Sequence, residues 1–191
     1  MGRLIVIQFT TLDGIVEDPD GSDGTEHGGW AMRHGPQAVA GDKFRLGSIL
    51  DQATLLFGRR TWEHFSTLWP HRDDDFSRAM NAAAKAVLTH RRLDEARWSN
   101  SRAITQPLKD WLTKELRSID VVVIGSQSIV ATLADDDLVD EYRLLIFPTA
   151  LGSGRRLFQH AQHLRLLSTE QVGPAVLAVL EPEASVTPDH S

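Results

Sequence analysis

The chain has 191 residues, a net charge of −6 and no cysteine; 41% of its residues are hydrophobic and 24% charged. That length and composition predict one globular unit over residues 1–180 and a polar tail over 181–191. Without cysteine there is no disulfide, thiol nucleophile, Cys-based metal site or zinc deaminase signature, and the acidic balance argues against nucleic acid and membrane as partners.

No apolar run approaches the ~20 residues of a membrane helix. Met1 to Ile7 has one charged side chain and a short apolar run, so it reads as the start of a strand and not as a signal peptide. The expected location is the cytoplasm. Arg3 to Thr10 is the first strand, and Thr11-Leu12-Asp13-Gly14 turns. Glu17 to Gly41 is rich in Gly, Asp, Glu and His, the composition of a functional lid or a disordered insert. Within it, Trp30 either covers a ligand or docks the loop on the core, while His27 and His34 read as solvated. Asp42 to Ala53 reads as a helix with Asp42 in its first turn.

Ala53 to Phe57 is the next strand, and Gly58-Arg59-Arg60-Thr61-Trp62-Glu63 turns into a helix. Ser66 to Asp75 is a loop, Phe76 to Ala84 a short helix, and Lys85 to Thr89 a strand followed by His90-Arg91-Arg92. A helix starting at Thr105 or Pro107 passes through Leu108, Trp111, Leu112 and Leu116. Val121-Val122-Val123-Ile124 is a run of β-branched residues, the mark of a strand buried on both faces. Gly125-Ser126-Gln127-Ser128 then leads to Ile129 and the next helix. Tyr142 to Phe147 is a strand, Leu151 to Phe158 a glycine loop, and Leu164–Glu170 with Ala175–Leu180 a terminal hairpin. Strands alternating with helices predict an α/β sheet, largely parallel, with an antiparallel edge.

Three strands end alike, at Gly58 to Thr61, at Thr89 to Arg92 and at Gly125 to Ser128. If these strands are parallel, the turns share one rim, where open α/β sheets bind ligands. That rim carries Arg59, Arg60, Arg91 and Arg92 with the hydroxyls of Thr61, Thr89, Ser126 and Ser128. Arginine forks and hydroxyls around helix N-termini suit a ligand with several phosphates, such as NADP. The plain alternative is surface ion pairing in an acidic protein. His160 and His163, three apart, lack a third ligand nearby in sequence and make a weak metal candidate. Trp62, Trp98 and Trp111 read as packing residues.

In this order the segments Thr11–Gly14, Gly58–Glu63, Lys85–Thr89, Val123–Ser126, Leu138–Glu141 and Pro148–Phe158 resemble the dihydrofolate reductase-like superfamily, and within it the RibD C-terminal domain family. The resemblance implies a three-layer α/β/α fold with a mixed, mostly parallel sheet of about eight strands. It implies an NADPH-dependent reductase of a small heterocycle, with homodimers common. The adenosine 2′-phosphate would then lie near Arg59 and Leu88-Thr89-His90-Arg91. The pyrophosphate would lie at Gly58, Arg59, Arg60 and Thr61 and at Gly125, Ser126, Gln127, Ser128 and Ile129. The nicotinamide would lie near Gln8 and Thr10. Dihydrofolate reductases join a Gly-Gly pair by a cis peptide where this chain has Gly125-Ser126.

Two carboxylates are candidate acids. The resemblance places Asp42 opposite the substrate ring, with Trp30; the alternative for Asp42 is a helix cap. Asp13 lies where the first strand meets the lid; its alternative is a turn residue bonding its own backbone. The competing class of function is a nucleotide-binding or interaction module that keeps the fold without the chemistry.

Overall fold

The computed structural model describes residues 1–183. Its strands are β1 (Leu4–Thr11), β2 (Thr54–Gly58), β3 (Ala84–Leu88), β4 (Ser101–Ile104), β5 (Val121–Ile124), β6 (Glu141–Phe147), β7 (Leu164–Val172) and β8 (Ala175–Pro182). Its α-helices are α1 (Ile49–Gln52), α2 (Arg59–Leu68), α3 (Asp75–Ala82), α4 (Leu108–Glu115) and α5 (Gln127–Asp135). The strands form one sheet in the order β4-β3-β2-β5-β1-β6-β8-β7. The first six in that order run parallel, and β8 pairs antiparallel with both β6 and β7.

The β-branched run predicts a doubly covered strand, and β5 is one. Val121, Val122 and Val123 are fully buried between β2 and β1. Alternation along the strands splits the core in two. Ile5, Ile7, Leu55, Phe57, Val87 and Val122 face Trp30, Phe44, Trp62 and Met80 on one side. Leu4, Val6, Leu56, Ala86, Val121 and Val123 face Trp111, Leu112, Ile129, Val130 and Leu133 on the other. Thus α2 and α3 cover one face, α4 and α5 the other. Each large apolar side chain buried this way contributes roughly 1.5–3 kcal/mol.

Trp62, Trp98 and Trp111 pack as expected, and the first two place their indole N–H groups on Ser101 Oγ and Asn81 Oδ1. Lys85 is the odd group inside. Its ammonium donates to the carbonyls of Asn81, Ala83 and Ser99 and lies 4.6 Å from the Trp98 ring centroid. Burial pushes its pKa down to about 8.

The structure corrects the sequence reading at several places. The expected helix over Asp42 to Ala53 is reduced to α1. The Asp42 carboxylate accepts from the backbone amides of Leu46 and Gly47, while Arg45 and Gly47 take positive φ of 55° and 49°. A short acidic side chain has outcompeted the helix ladder for those amides. β4 had no apolar run to announce it; it is an edge strand with exposed Arg102 and Ala103. The hairpin strands extend to Val172 and Pro182, so the sheet passes the predicted boundary at 180. The rest of the predicted tail, 184–191, lies outside the described residues.

The Glu17–Gly41 segment is a fastened loop. Asp18, in a left-handed conformation, accepts from the amides of Asp23 and Thr25 and from the Thr25 hydroxyl. Burial pushes the Asp18 carboxyl up, but these donors and the Gly21 amide outweigh it and hold the group below the usual carboxylate range. Trp30 is fully buried, donates Nε1–H to the Glu17 carbonyl and meets Phe147 edge-on. Of its two expected roles it takes the docking one. His34 is not free in solvent either: its Nε2 is 3.2 Å from Thr149 Oγ1 and its ring 5.4 Å from that of Phe147.

Candidate functional site

The helices following β2 and β5 leave on opposite faces of the sheet, although the two strands are parallel neighbours. A crevice therefore opens at their C-terminal ends, the topological switch point of an open α/β sheet. The condition set by the sequence is met: the strands leading into Gly58, Thr89 and Gly125 are parallel, so the three turns share one rim. Residues 127 and 128, in the first turn of α5, and 59 and 60, in that of α2, have amides outside the helix ladders, as helix geometry requires. Both N-termini favour negative charge.

Ser126 interlocks the two central turns. Its Oγ accepts from the Gly58 amide at 2.8 Å and donates to the Ile124 carbonyl at 3.2 Å, while its own amide donates to Thr61 Oγ1 at 3.2 Å. Gly125 and Ser126 both adopt left-handed φ, 63° and 43°, and there is no cis peptide among the described residues. A Cβ on Gly125 would meet Thr61 Cγ2 at 3.1 Å, so that glycine is needed for the close approach as well as for its φ. The serine costs about 1–2 kcal/mol in that conformation, offset by bonds that a second glycine could not make.

The cationic groups around the rim differ. Arg59 donates Nε–H to Glu63 at 2.7 Å, but its Nη1 is buried without a partner. Exposed Arg60 reaches Asp23 at 3.2 Å. Thr89 is buried and its Oγ1 accepts from the Arg91 amide, which shapes the turn; His90, Arg91 and Arg92 point into solvent. Leu88 packs against the core on the α4–α5 face. Of the residues expected at the pyrophosphate, Ile129 is committed elsewhere: its side chain is core and its amide donates to the Ser126 carbonyl. Ser128 is exposed. Gln8 and Thr10 are both 4% exposed, and Gln8 Oε1 has no hydrogen-bond partner.

Across the crevice lies the lid. The segment 13–16 pairs with the glycine loop through an Ile15–Arg156 bridge and bonds from the amides of Val16 to Arg155 and of Leu157 to Gly14. Gln127 joins this latch to α5, donating Nε2–H to the Val16 carbonyl at 2.5 Å and accepting from Arg155 Nη1 at 3.0 Å. On the other side Asp20 meets His64 of α2 at 2.8 Å. Sequence reasoning missed Arg155 and His64. Only the glycines of the loop hinted at the first, and nothing local marked the second.

Asp13 is a structural group, though not the self-bonded turn residue expected: it ties its turn to a loop far along the chain. Its carboxylate accepts from the Thr11 hydroxyl at 2.5 Å and from the amides of Leu151 and Gly152 at 3.1 and 2.7 Å. The Thr11 hydroxyl first, then these amides, lower its pKa to about 2. Such a group stays ionised at neutral pH and is a poor proton donor. Asp42 is not brought to the rim. Its turn is tied by Arg45 to Glu170 of β7, and by Arg143 of β6 to the carbonyls of Phe44 and Arg45. Those strands lie on the hairpin side of β1, away from the β2–β5 crevice. The expected pairing of Asp42 with Trp30 around a substrate fails for the same reasons.

The strand order, the switch point and the closing hairpin give the chain a dihydrofolate reductase-like fold. The model of the RibD C-terminal domain matches residues 3–178, so the chain belongs to that family. It is 24% identical over 190 residues to the uncharacterized protein YyaP of Bacillus subtilis, covering 93% of each chain. The fold matches that of a protein assigned to riboflavin biosynthesis from Shewanella sp. PV-4, with a TM-score of 0.71, 17% identity and coverage of 95% of this chain and 99% of that one. It also matches dihydrofolate reductase from Enterococcus faecalis complexed with NADP(H), with a TM-score of 0.53, 12% identity and coverage of 96% and 98%. Family and fold are both associated with reductases. No helix among the described residues is long and apolar enough to cross a membrane.

Proposed function

We propose that the chain is an NADPH-dependent reductase of a small heterocyclic substrate. The observation carrying this reading is the crevice between β2 and β5, where two helix N-termini, three turns and the arginines of one rim converge. Arg59, at the start of α2, fits an anionic cofactor: it keeps a guanidinium nitrogen that no group of the chain pairs with, and its side chain is partly exposed. When bound, NADPH supplies a hydride. The chain's own contributions are to hold anionic oxygens with the amides at residues 59, 60, 127 and 128, to place the guanidinium of Arg59, and to exclude water with the 13–25 lid. Asp13 acts by fastening that lid, and Asp42 by shaping the loop after it.

Equilibrium titration with NADPH and NADH, followed by tryptophan fluorescence, tests the reading. Saturable binding with NADPH favoured is expected; no binding of either at millimolar concentration contradicts it. Binding without turnover on any pterin or pyrimidine supports instead a nucleotide-binding module that has lost the chemistry. A reducible uracil bearing a ribosylamine, the substrate class of riboflavin synthesis, is the first acceptor to try.

We also propose a homodimer through the terminal hairpin. β7 leaves its outer edge unpaired, and the same hairpin exposes Leu166, Leu167 and Val176. An edge strand can meet its own copy antiparallel about a two-fold axis. Light scattering should give twice the chain mass, and Leu166→Lys should return it to a monomer; a monomeric parent contradicts the pairing.

A further inference from the structure

We propose that the Asp23-Gly24 step at the tip of the lid is a site of spontaneous modification, where Asp23 isomerises to an isoaspartyl residue and the tip lets go of α2. The inference is independent of the reductase reading. The chain has Asp-Gly steps at Asp13-Gly14, Asp20-Gly21 and Asp23-Gly24, all in the lid. Glycine puts no side chain in the way of ring closure, so residue type alone makes the three equal. The fold separates them.

At Asp13 both reacting groups are held. The Gly14 amide donates to the Thr11 carbonyl at 3.0 Å, and the carboxylate accepts from the Thr11 hydroxyl and the amides of Leu151 and Gly152. With its pKa lowered from 3.8 to about 2, the reactive acid form is about fiftyfold rarer at neutral pH than for an ordinary carboxyl. At Asp20 both carboxylate oxygens are engaged. Oδ1 accepts from the Ser22 amide at 3.1 Å and the Ser22 hydroxyl at 2.8 Å, and Oδ2 lies 2.8 Å from His64 Nε2. Gly21 is also crowded, since a Cβ there would meet the Gly29 backbone at 3.3 Å. Asp23 is held by little. One carboxylate oxygen lies 3.2 Å from Arg60 Nη2, and the side chain is 56% exposed. An exposed ion pair restrains weakly. The Gly24 amide makes a long 3.3 Å bond to the Gly21 carbonyl. Among the described residues, no atom beyond the chain neighbours lies within 4 Å of a Cβ built on Gly24.

The Gly24 nitrogen attacks Cγ of the protonated Asp23 carboxyl. The carboxyl hydroxyl leaves with the amide proton as water, and a five-membered succinimide closes. Water then adds to one imide carbonyl. Opening at Cγ restores Asp23, and opening at the main-chain carbonyl leaves the chain running through Cβ and Cγ. No oxidant or reductant enters, and the mass is unchanged. The consequence for the lid follows from Asp18, whose two oxygens take the amides of Asp23 and Thr25. Isomerisation inserts a methylene into the main chain between those amides. It also leaves the free carboxylate directly on Cα, one methylene short of its present reach toward Arg60. The grip of Asp18 and the ion pair to α2 are lost together.

The test ages the protein in warm neutral buffer, folded and, in parallel, unfolded in guanidinium chloride. Electron-transfer mass spectrometry of its peptides counts isoaspartate at each step. The unfolded chain should convert at all three steps alike. In the folded protein Asp23 should outpace Asp13 by about tenfold or more, because the acid form of Asp13 is scarce, and should outpace Asp20 as well. Hydrogen exchange should then show faster exchange over residues 18–25 in the aged parent. Asp23→Glu keeps a carboxylate but must close a slower six-membered ring, so its lid should keep its protection on ageing. Folded protein that converts at Asp13 or Asp20 as fast as at Asp23, or not at Asp23, overturns the proposal. Equal loss of lid protection in the aged parent and aged Asp23→Glu overturns the link to the lid.

Discussion

Two polar regions flank the end of β1, five residues apart, and they are built on opposite lines. At Asp13 every carboxylate bond is made within the chain, by the Thr11 hydroxyl and the amides of Leu151 and Gly152. At the crevice, the amide oxygen of Gln8 and Nη1 of Arg59 are left buried and unpaired. A satisfied network holds parts together, whereas a buried atom without a partner is a cost that water, strain relief or a ligand would have to relieve. The contrast separates the latch from the site where residue type alone does not, since a carboxylate beside the lid is as plausible an acid as it is a staple.

The most severe way to break the comparison is at the latch. Asp13→Ala leaves two backbone amides and a hydroxyl without an acceptor and should cost about 2 kcal/mol in urea unfolding, allowing for partial exposure. Asp13 also sets an acid limit. Its folded pKa, about 2, lies below the ordinary carboxylate value of 3.8. Its contribution is therefore complete above about pH 4 and lost as the pH falls through about 2. The protection of the Leu151 and Gly152 amides, taken relative to the intrinsic exchange rate at each pH, should fall over that range in the parent and stay constant in the variant.

Smaller effects are expected at the crevice. Arg59→Ala should weaken NADPH by about tenfold and NADH much less, because the lost group is a charge-assisted donor; equal losses in equilibrium titrations would remove Arg59 from the 2′-phosphate. Ser126→Ala should cost about 1 kcal/mol in thermal or urea unfolding, the worth of the bond from the Gly58 amide. The smallest change is predicted at Asp42. Asp42→Asn keeps one amide acceptor oxygen in the turn and should leave NADPH oxidation unchanged across the pH range, whereas a lost acid limb in the rate profile would restore Asp42 to the chemistry.

The sequence made much of the sheet legible. The Val121–Ile124 run, the glycine turns and the hairpin are local signals, and local chemistry decides them. β4 was not legible because an edge strand needs no continuous apolar run. Nor was the break before α1, because the Asp42 side chain takes the amides that a helix there would have used. The rim could be read from three short motifs, since parallel strands bring their C-terminal ends together. Arg155 and His64 could not, because long-range latch bonds bring them to the lid.

The most direct test of the central claim is a crystal structure of the protein soaked with NADPH. The account predicts pyrophosphate density spanning the turns at Gly58–Thr61 and Gly125–Ser128, with a phosphate on Arg59. Dinucleotide density elsewhere on the molecule, with that crevice holding only solvent, would contradict it.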